Sequence, residues 1–391
     1  MLAGLTIIEV IQPCGQHRQR VAWCGQSKAH GYFLTNSSLN RGTPAPATPG
    51  ENGKYHCHNT VIHKGERMLR FVCSMVAASI LVGCAGTVPH ARGEPSPPFV
   101  DHHQHLMSPA GAQLVNSALG LHEKAVTGAD MIKLLDEAGM KRAVILSDAY
   151  FFDSPPAQTL PNYPELVRRE NDWTASEAER HPGRLIAFCS FNPRLKTGLS
   201  ELDRCAASKR FRGVKLHFDV SGVDLRKPDH VAMVRAAFAS ANRHRLPIVI
   251  HAAVGPPRSY GAAEARVMID RLLPAAPDVP VVICHLWGGG NFAGEVLAAY
   301  VEAIQARLPQ TRRLYFDVAQ AQMTTRNDPG ARRLIAAGIR QIGVERVFYG
   351  SDGPEFGGET PAVAWREFRQ LIPLTPAEHD RIARNVAPFA K

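Results

Sequence analysis

Val100-Asp101-His102-His103-Gln104-His105-Leu106 places a His-x-His pair at the end of a short apolar run. Along a β-strand, positions i and i+2 face the same side, so the imidazoles of His103 and His105 converge on one point. Two converging imidazoles suit a metal ion, but a site needs further donors brought in by other strands.

Such strands follow. From residue 99 onward, runs rich in β-branched and aromatic residues alternate with helical patterns, as in βα units around a parallel sheet. Eight runs read as strands: 98–103, 142–147, 185–190, 213–218, 247–251, 279–285, 314–318 and 346–352. Between them, 129–139 and 230–242 carry apolar residues at helical spacing, the first ending on Gly139. Eight strands close a (β/α)8 barrel, whose usual size is about 250 residues. A doubly wound open sheet is the competing α/β architecture, but no Gly-x-Gly-x-x-Gly follows the first strand.

The 391-residue chain has an ordinary globular composition, with 45% apolar and 20% charged residues. Its net charge of +10 hints at an acidic partner until it is divided. Residues 1–97 hold nine Lys and Arg against four Asp and Glu, which leaves +5 for the rest. There the basic residues are mixed with acids along helical segments, so no nucleic-acid partner is expected. Cys189, Cys205 and Cys284 lack Cys-x-x-Cys spacing and read as buried free thiols.

The first 98 residues read as something other than the working domain. Met68-Leu-Arg followed by the apolar run 71–82 and Gly83-Cys84 has the parts of a secretory signal, too short to span a bilayer comfortably. Leu81-Val82-Gly83-Cys84 resembles a bacterial lipobox, so a lipid anchor at Cys84 is expected, with 85–98 as a Pro/Gly-rich flexible linker. An exported, envelope-bound protein follows. Residues 1–67 lack sustained periodicity, and Met68 is read as the start of the protein.

Active sites of such barrels form at the C-terminal ends of the strands. There the sequence places His103 and His105, Lys215 and His217, His251, His285 and Asp352. With Gly-Val-Lys-Leu-His at 213–217, Ile-His at 250–251, Cys-His-Leu-Trp-Gly-Gly-Gly at 284–290 and Tyr-Gly-Ser-Asp at 349–352, the chain resembles the amidohydrolase superfamily. The likeness is to its branch of aminocarboxymuconate semialdehyde decarboxylase, resorcylate decarboxylase and lactone hydrolases.

The resemblance implies that His103, His105, His251 and Asp352 bind one divalent metal, zinc first, with manganese, iron or cobalt as alternatives. It makes His285 the catalytic histidine and gives Asp352 a second role as proton acceptor. Gly288 to Gly290 permit a tight turn close to substrate. Lys215 and His217 are candidate substrate-binding residues; a carboxylated Lys215 bridging two metals is the alternative. Arg258, in the loop after His251, is a candidate carboxylate clamp, and Asn171, Trp173 and Asp317 are further pocket candidates.

The expected activity on a small-molecule substrate is hydrolysis of a lactone, ester or amide: water activated by the ion loses a proton to Asp352, and His285 assists at the carbonyl. The alternative is non-oxidative decarboxylation of an unsaturated or aromatic acid, which uses the same ligands. Hydrolysis is preferred because no arginine stands at a strand end to hold a carboxylate. A catalytically silent binding lipoprotein is the reading from another class, disfavoured because every ligand position is filled.

Overall fold

The computed structural model describes residues 96–160 and 162–391. The 1–67 extension, the 68–84 leader with Cys84 and the linker up to residue 95 lie outside the described residues.

The strands are β1 (Val100–Gln104), β2 (Arg142–Leu146), β3 (Leu185–Ser190), β4 (Val214–His217), β5 (Ile248–His251), β6 (Val281–Ile283), β7 (Leu314–Asp317) and β8 (Val347–Phe348). They lie side by side in chain order, each parallel to the next. Backbone bonds return β8 to β1: the His102 N–H donates to the Tyr349 carbonyl at 2.9 Å and the Asp352 N–H to that of His103 at 2.8 Å. The chain therefore forms the expected (β/α)8 barrel.

Strands β6 and β8 are shorter than the apolar runs suggest. His285, Leu286 and Asp352 have φ of 57°, 66° and 55°. Left-handed backbone cannot continue a strand, so His285 and Leu286 turn the chain away just past β6, whereas β8 ends at Phe348, before Asp352 is reached.

Side-chain alternation sorts the core into two shells. Val144, Leu146, Phe188, Val249, Val282 and Phe348 fill the barrel, and Ala387, Phe389 and Ala390 close its N-terminal end. Ile145, Leu216, Ile250, Ile283 and Phe316 point outward into the larger layer under the helices. β1 departs from strict alternation, because its pairing to β2 shifts between Asp101 and Gln104. A bulge of this kind re-aims neighbouring side chains. His102 stacks on Phe348 at 4.8 Å inside the barrel, while the next residue, His103, also turns inward and reaches Lys215.

His102 has a structural role. Its Nδ1 donates to the Tyr349 carbonyl at 3.0 Å and its Nε2 accepts from the Ala387 N–H at 3.1 Å, joining β1, β8 and the terminal plug. Burial lowers its pKa to about 4, so the ring is neutral at physiological pH.

The expectation of three free thiols is corrected. Cys189 in β3 is disulfide-bonded to Cys205 in the helix Lys196–Ser208, with Cα atoms 6.4 Å apart; only Cys284 is a free thiol among the described residues. The helix folds back on the strand it follows, so cysteines 16 residues apart in sequence become neighbours.

Candidate metal centre at the barrel mouth

β1 brings His103 to the mouth and His105 follows it directly, so their Nε2 atoms lie 3.4 Å apart. Asp352, in the turn after β8, places Oδ1 3.4 Å from His103 Nε2 and 3.6 Å from His105 Nε2. Edges of this length match a tetrahedron around a cation with ligand bonds of about 2.1 Å.

The imidazoles are oriented from behind. His103 Nδ1 donates to Asp317 Oδ2 at 3.0 Å, and His105 Nδ1 to Asp148 Oδ1 at 2.6 Å. Each proton is held on Nδ1, which turns the Nε2 lone pairs toward one another, that of His103 also meeting Lys215 Nζ at 3.1 Å. Asp317 is fully buried and also accepts the backbone N–H groups of His285 at 2.7 Å and Ala319 at 3.1 Å. Burial pushes its carboxyl upward, but His103, His285 and these N–H groups outweigh that and hold it at about 2. Asp352 is likewise held below the usual carboxylate range against the effect of burial, chiefly by His103, His285 and His105. Three pre-oriented donors, one of them anionic, fit a divalent cation.

The histidine after β6 has a different environment. The Ala319 carbonyl can only accept, so at 3.0 Å it fixes the proton of neutral His285 on Nδ1. His285 Nε2 has no hydrogen-bond partner and lies 3.8 Å from Asp352 Oδ2. Burial lowers this imidazole to about 4. His103, Cys284 and His285 form a second donor group. Burial raises the Cys284 thiol well above its usual pKa, keeping it a neutral, poor ligand.

His251 enters through its ring, which stacks on His217 at 4.1 Å and meets His285 edge-on at 5.0 Å. It stands beside the cluster of His103, His105 and Asp352, within which donor atoms lie no more than 4.8 Å apart. Gly289, with φ of 109°, makes room for this ring: a Cβ there would lie 2.3 Å from His251 Cε1.

Lys215 is buried, with Nζ 3.1 Å from His103 Nε2 and 3.4 Å from Cys284 Sγ. His217 Nδ1 accepts the Val220 N–H at 3.3 Å, so its Nε2 carries the proton. Arg258 is placed otherwise than a substrate clamp. Its guanidinium donates to Asp219 Oδ1 at 2.7 Å and to the carbonyls of Phe218, Asp219 and Val223, bracing the β4 loop. Asn171 ties the helix Tyr163–Arg180 to Ser190 of β3, and Trp173 packs on the outer core.

Two site residues, Asp148 and Tyr150, escaped the sequence reading, which expects the loop 354–358 that holds Glu355 to shape the pocket. Asp148 lies just beyond β2, where Ser147-Asp148 ending an apolar run was a usable signal. Tyr150 donates to Asp148 Oδ1 at 2.9 Å. Glu355 is buried in the loop after Asp352; burial, then Asp148 and Asp352, push its carboxyl well above the normal range.

Together the flat side chains form a closed circuit. His103, His105, Tyr150, His217, His251 and His285 follow one another at centroid separations of 5.4, 6.5, 4.8, 4.1, 5.0 and 5.1 Å, the last closing back on His103.

Barrel and donor cluster define a metal-dependent enzyme, and comparison with known proteins gives its family. The amidohydrolase family model matches residues 100–387, so the chain belongs to that family. It is 25% identical over 284 residues to the gamma-resorcylate decarboxylase of Rhizobium radiobacter, covering 64% of this chain and 82% of that one. The crystal structure of 2,6-dihydroxybenzoate decarboxylase with 2,6-dihydroxybenzoate superposes with a TM-score of 0.53 and 17% identity over 74% of this chain and 97% of the other. A dihydroxybenzoic acid decarboxylase from a Polaromonas species, with bound manganese and 2-nitroresorcinol, gives 0.50 and 16% over 74% and 95%. The protein is an amidohydrolase-superfamily enzyme, and its histidine-rich centre is a divalent-metal site.

Proposed function

We propose that the chain is a non-oxidative decarboxylase of a planar, hydroxylated aromatic or conjugated acid. The circuit of six planar side chains around the mouth carries this reading, because it offers flat surfaces to a flat substrate. The likeness to a resorcylate decarboxylase supports it. The missing strand-end arginine, which favoured hydrolysis, weighs less once a cation serves as the carboxylate anchor.

His103, His105 and Asp352, with His251 beside them, would hold a divalent ion, which would supply a Lewis acid for an acidic substrate. Zinc or manganese suits this imidazole and carboxylate set. The chain's own groups handle the proton. His285 Nε2 presents a lone pair that takes the hydroxyl proton, raising electron density on the ring. The carboxylate-bearing carbon then takes a proton from the His285 and Asp352 pair, its bond to the carboxylate breaks, and carbon dioxide leaves. His217 Nε2–H faces the mouth as a neutral donor.

Ionised Asp352 is also placed to act as a base toward water, which keeps hydrolysis as the second reading. One assay separates them. Metal-loaded protein is offered 2,6-dihydroxybenzoate beside aryl esters and lactones, and the expected product is carbon dioxide. A new carboxylate from an ester or lactone, with no carbon dioxide from any acid, reverses the assignment.

We also propose export with a lipid anchor at Cys84. The Cys189–Cys205 disulfide supports this, since disulfides persist in oxidising compartments. Labelled fatty acid is expected in the native protein and absent from Cys84→Ser; equal label in both, or none in either, refutes the anchor.

A further inference from the structure

Because all eight strands are parallel, every connection from a helix into a strand lies on the barrel face opposite the mouth. These connections are 138–141, 181–184, 209–213, 244–247, 276–280, 306–313 and 343–346. They hold ten Lys and Arg but two acids, Asp278 and Glu345. The connections leaving the strands, with the 120–127 segment, hold five Lys and Arg against eight Asp and Glu. The barrel's modest net charge therefore conceals two faces of opposite sign.

Helix polarity does not account for this. Cations complement the dipole at a helix's C-terminal end, which accounts for Arg245, just past the helix Pro228–Arg243. It does not explain Arg312 and Arg313, which follow the single turn Pro309–Thr311 and immediately precede β7. Arg307, Arg312 and Arg313 are exposed and form no ion pair among the described residues. Arg307 and Arg312, with Arg346, Pro274, Pro277 and Pro309, line a recess of about 620 Å³.

The chain enters the barrel on this same face. Pro97 lies against Gly139 at the approach to β2, and the Phe99 ring, 44% exposed, carries the Arg142 guanidinium 5.8 Å above it. A tether running back to Cys84 therefore starts among the basic loops. We propose that this face docks on an anionic phospholipid bilayer, with Arg307, Arg312 and Arg313 contacting lipid phosphates and the catalytic mouth turned toward solvent. The orientation rests on the export and anchoring proposed above, whereas the affinity of the face for anionic lipid does not. A basic surface adds an electrostatic attraction to anionic lipid of about 1 kcal/mol per Lys or Arg near the bilayer.

The full chain carrying Cys84→Ser, which cannot be lipidated there, tests the face separately from the anchor. In flotation assays it is expected to bind vesicles of phosphatidylglycerol and phosphatidylcholine but not phosphatidylcholine alone, and to be released by about 0.5 M salt. Combining Arg307→Glu, Arg312→Glu and Arg313→Glu lowers partitioning by about a hundredfold or more. Metal content and turnover stay at the parental level, which confirms that the triple variant is folded. Equal binding to both vesicle types, or unchanged binding by the triple variant, overturns the proposal. Tighter binding to RNA than to the anionic vesicles at equal salt also overturns it, by reassigning the face.

Discussion

Asp317→Asn is expected to lower divalent-metal affinity by about 100-fold, and turnover with it. The carboxylate accepts three N–H donors: His103 Nδ1, the backbone of His285 and the backbone of Ala319. An asparagine oxygen can still serve the two backbone groups, which leaves its NH2 facing His103. Two donors cannot share that contact, so His103 moves its proton to Nε2, the atom that must hold the metal. The change is almost isosteric, which separates lost ligation from lost packing. The same carboxylate also links stability to pH. Its folded pKa of about 2 lies below the usual 3.8, so its contribution is present above the unfolded value and disappears as pH falls through the folded one. Taken at face value, the shift corresponds to about 2 kcal/mol at neutral pH. Wild type is therefore expected to lose more stability than Asp317→Asn between about pH 4 and pH 2. Metal titration with calorimetry checks the first effect and acid unfolding the second; wild-type metal affinity in the variant would remove His103 orientation as the role of Asp317.

What could be read from sequence alone follows a physical division. Strand ends are local: an apolar run ending in His251 or His103 marks both a strand and the face its last side chain takes, and parallel order then gathers those ends at one mouth. The three consecutive glycines 288–290 announce a close approach, expected toward substrate, and at Gly289 the group approached is the His251 ring. The supporting groups are not local. Asp148 and Asp317 act on His105 and His103 across 43 and 214 residues, and nothing in a single sequence pairs them. The Cys189–Cys205 bond and the bracing of Asp219 by Arg258 likewise depend on how helices and loops fold back. β8 is shorter than its apolar run, Val347–Phe348 against 346–352, and the chain reaches Asp352 through a turn rather than a strand. Charge was legible in total but not in distribution, because the two faces of a barrel interleave along the chain.

His285→Asn is expected to reduce turnover by about 10²- to 10⁴-fold while metal content stays at the wild-type level, a split no ligand substitution gives. His285 has a backbone φ of 57°, a conformation asparagine tolerates better than most residues. Its backbone N–H still reaches Asp317, and the new side-chain amide can donate to the Ala319 carbonyl in place of Nδ1. What disappears is the lone pair at Nε2, which lies 3.8 Å from Asp352 Oδ2. A group that takes a proton from a substrate hydroxyl and returns it to carbon needs this atom. The amide that replaces it neither gains nor loses a proton near neutrality, so the loss falls on kcat more than on KM. Full activity in the variant would shift proton transfer to Asp352 alone. Loss of metal together with activity would make His285 a ligand and give the second donor group, with Cys284, the role assigned here to the first.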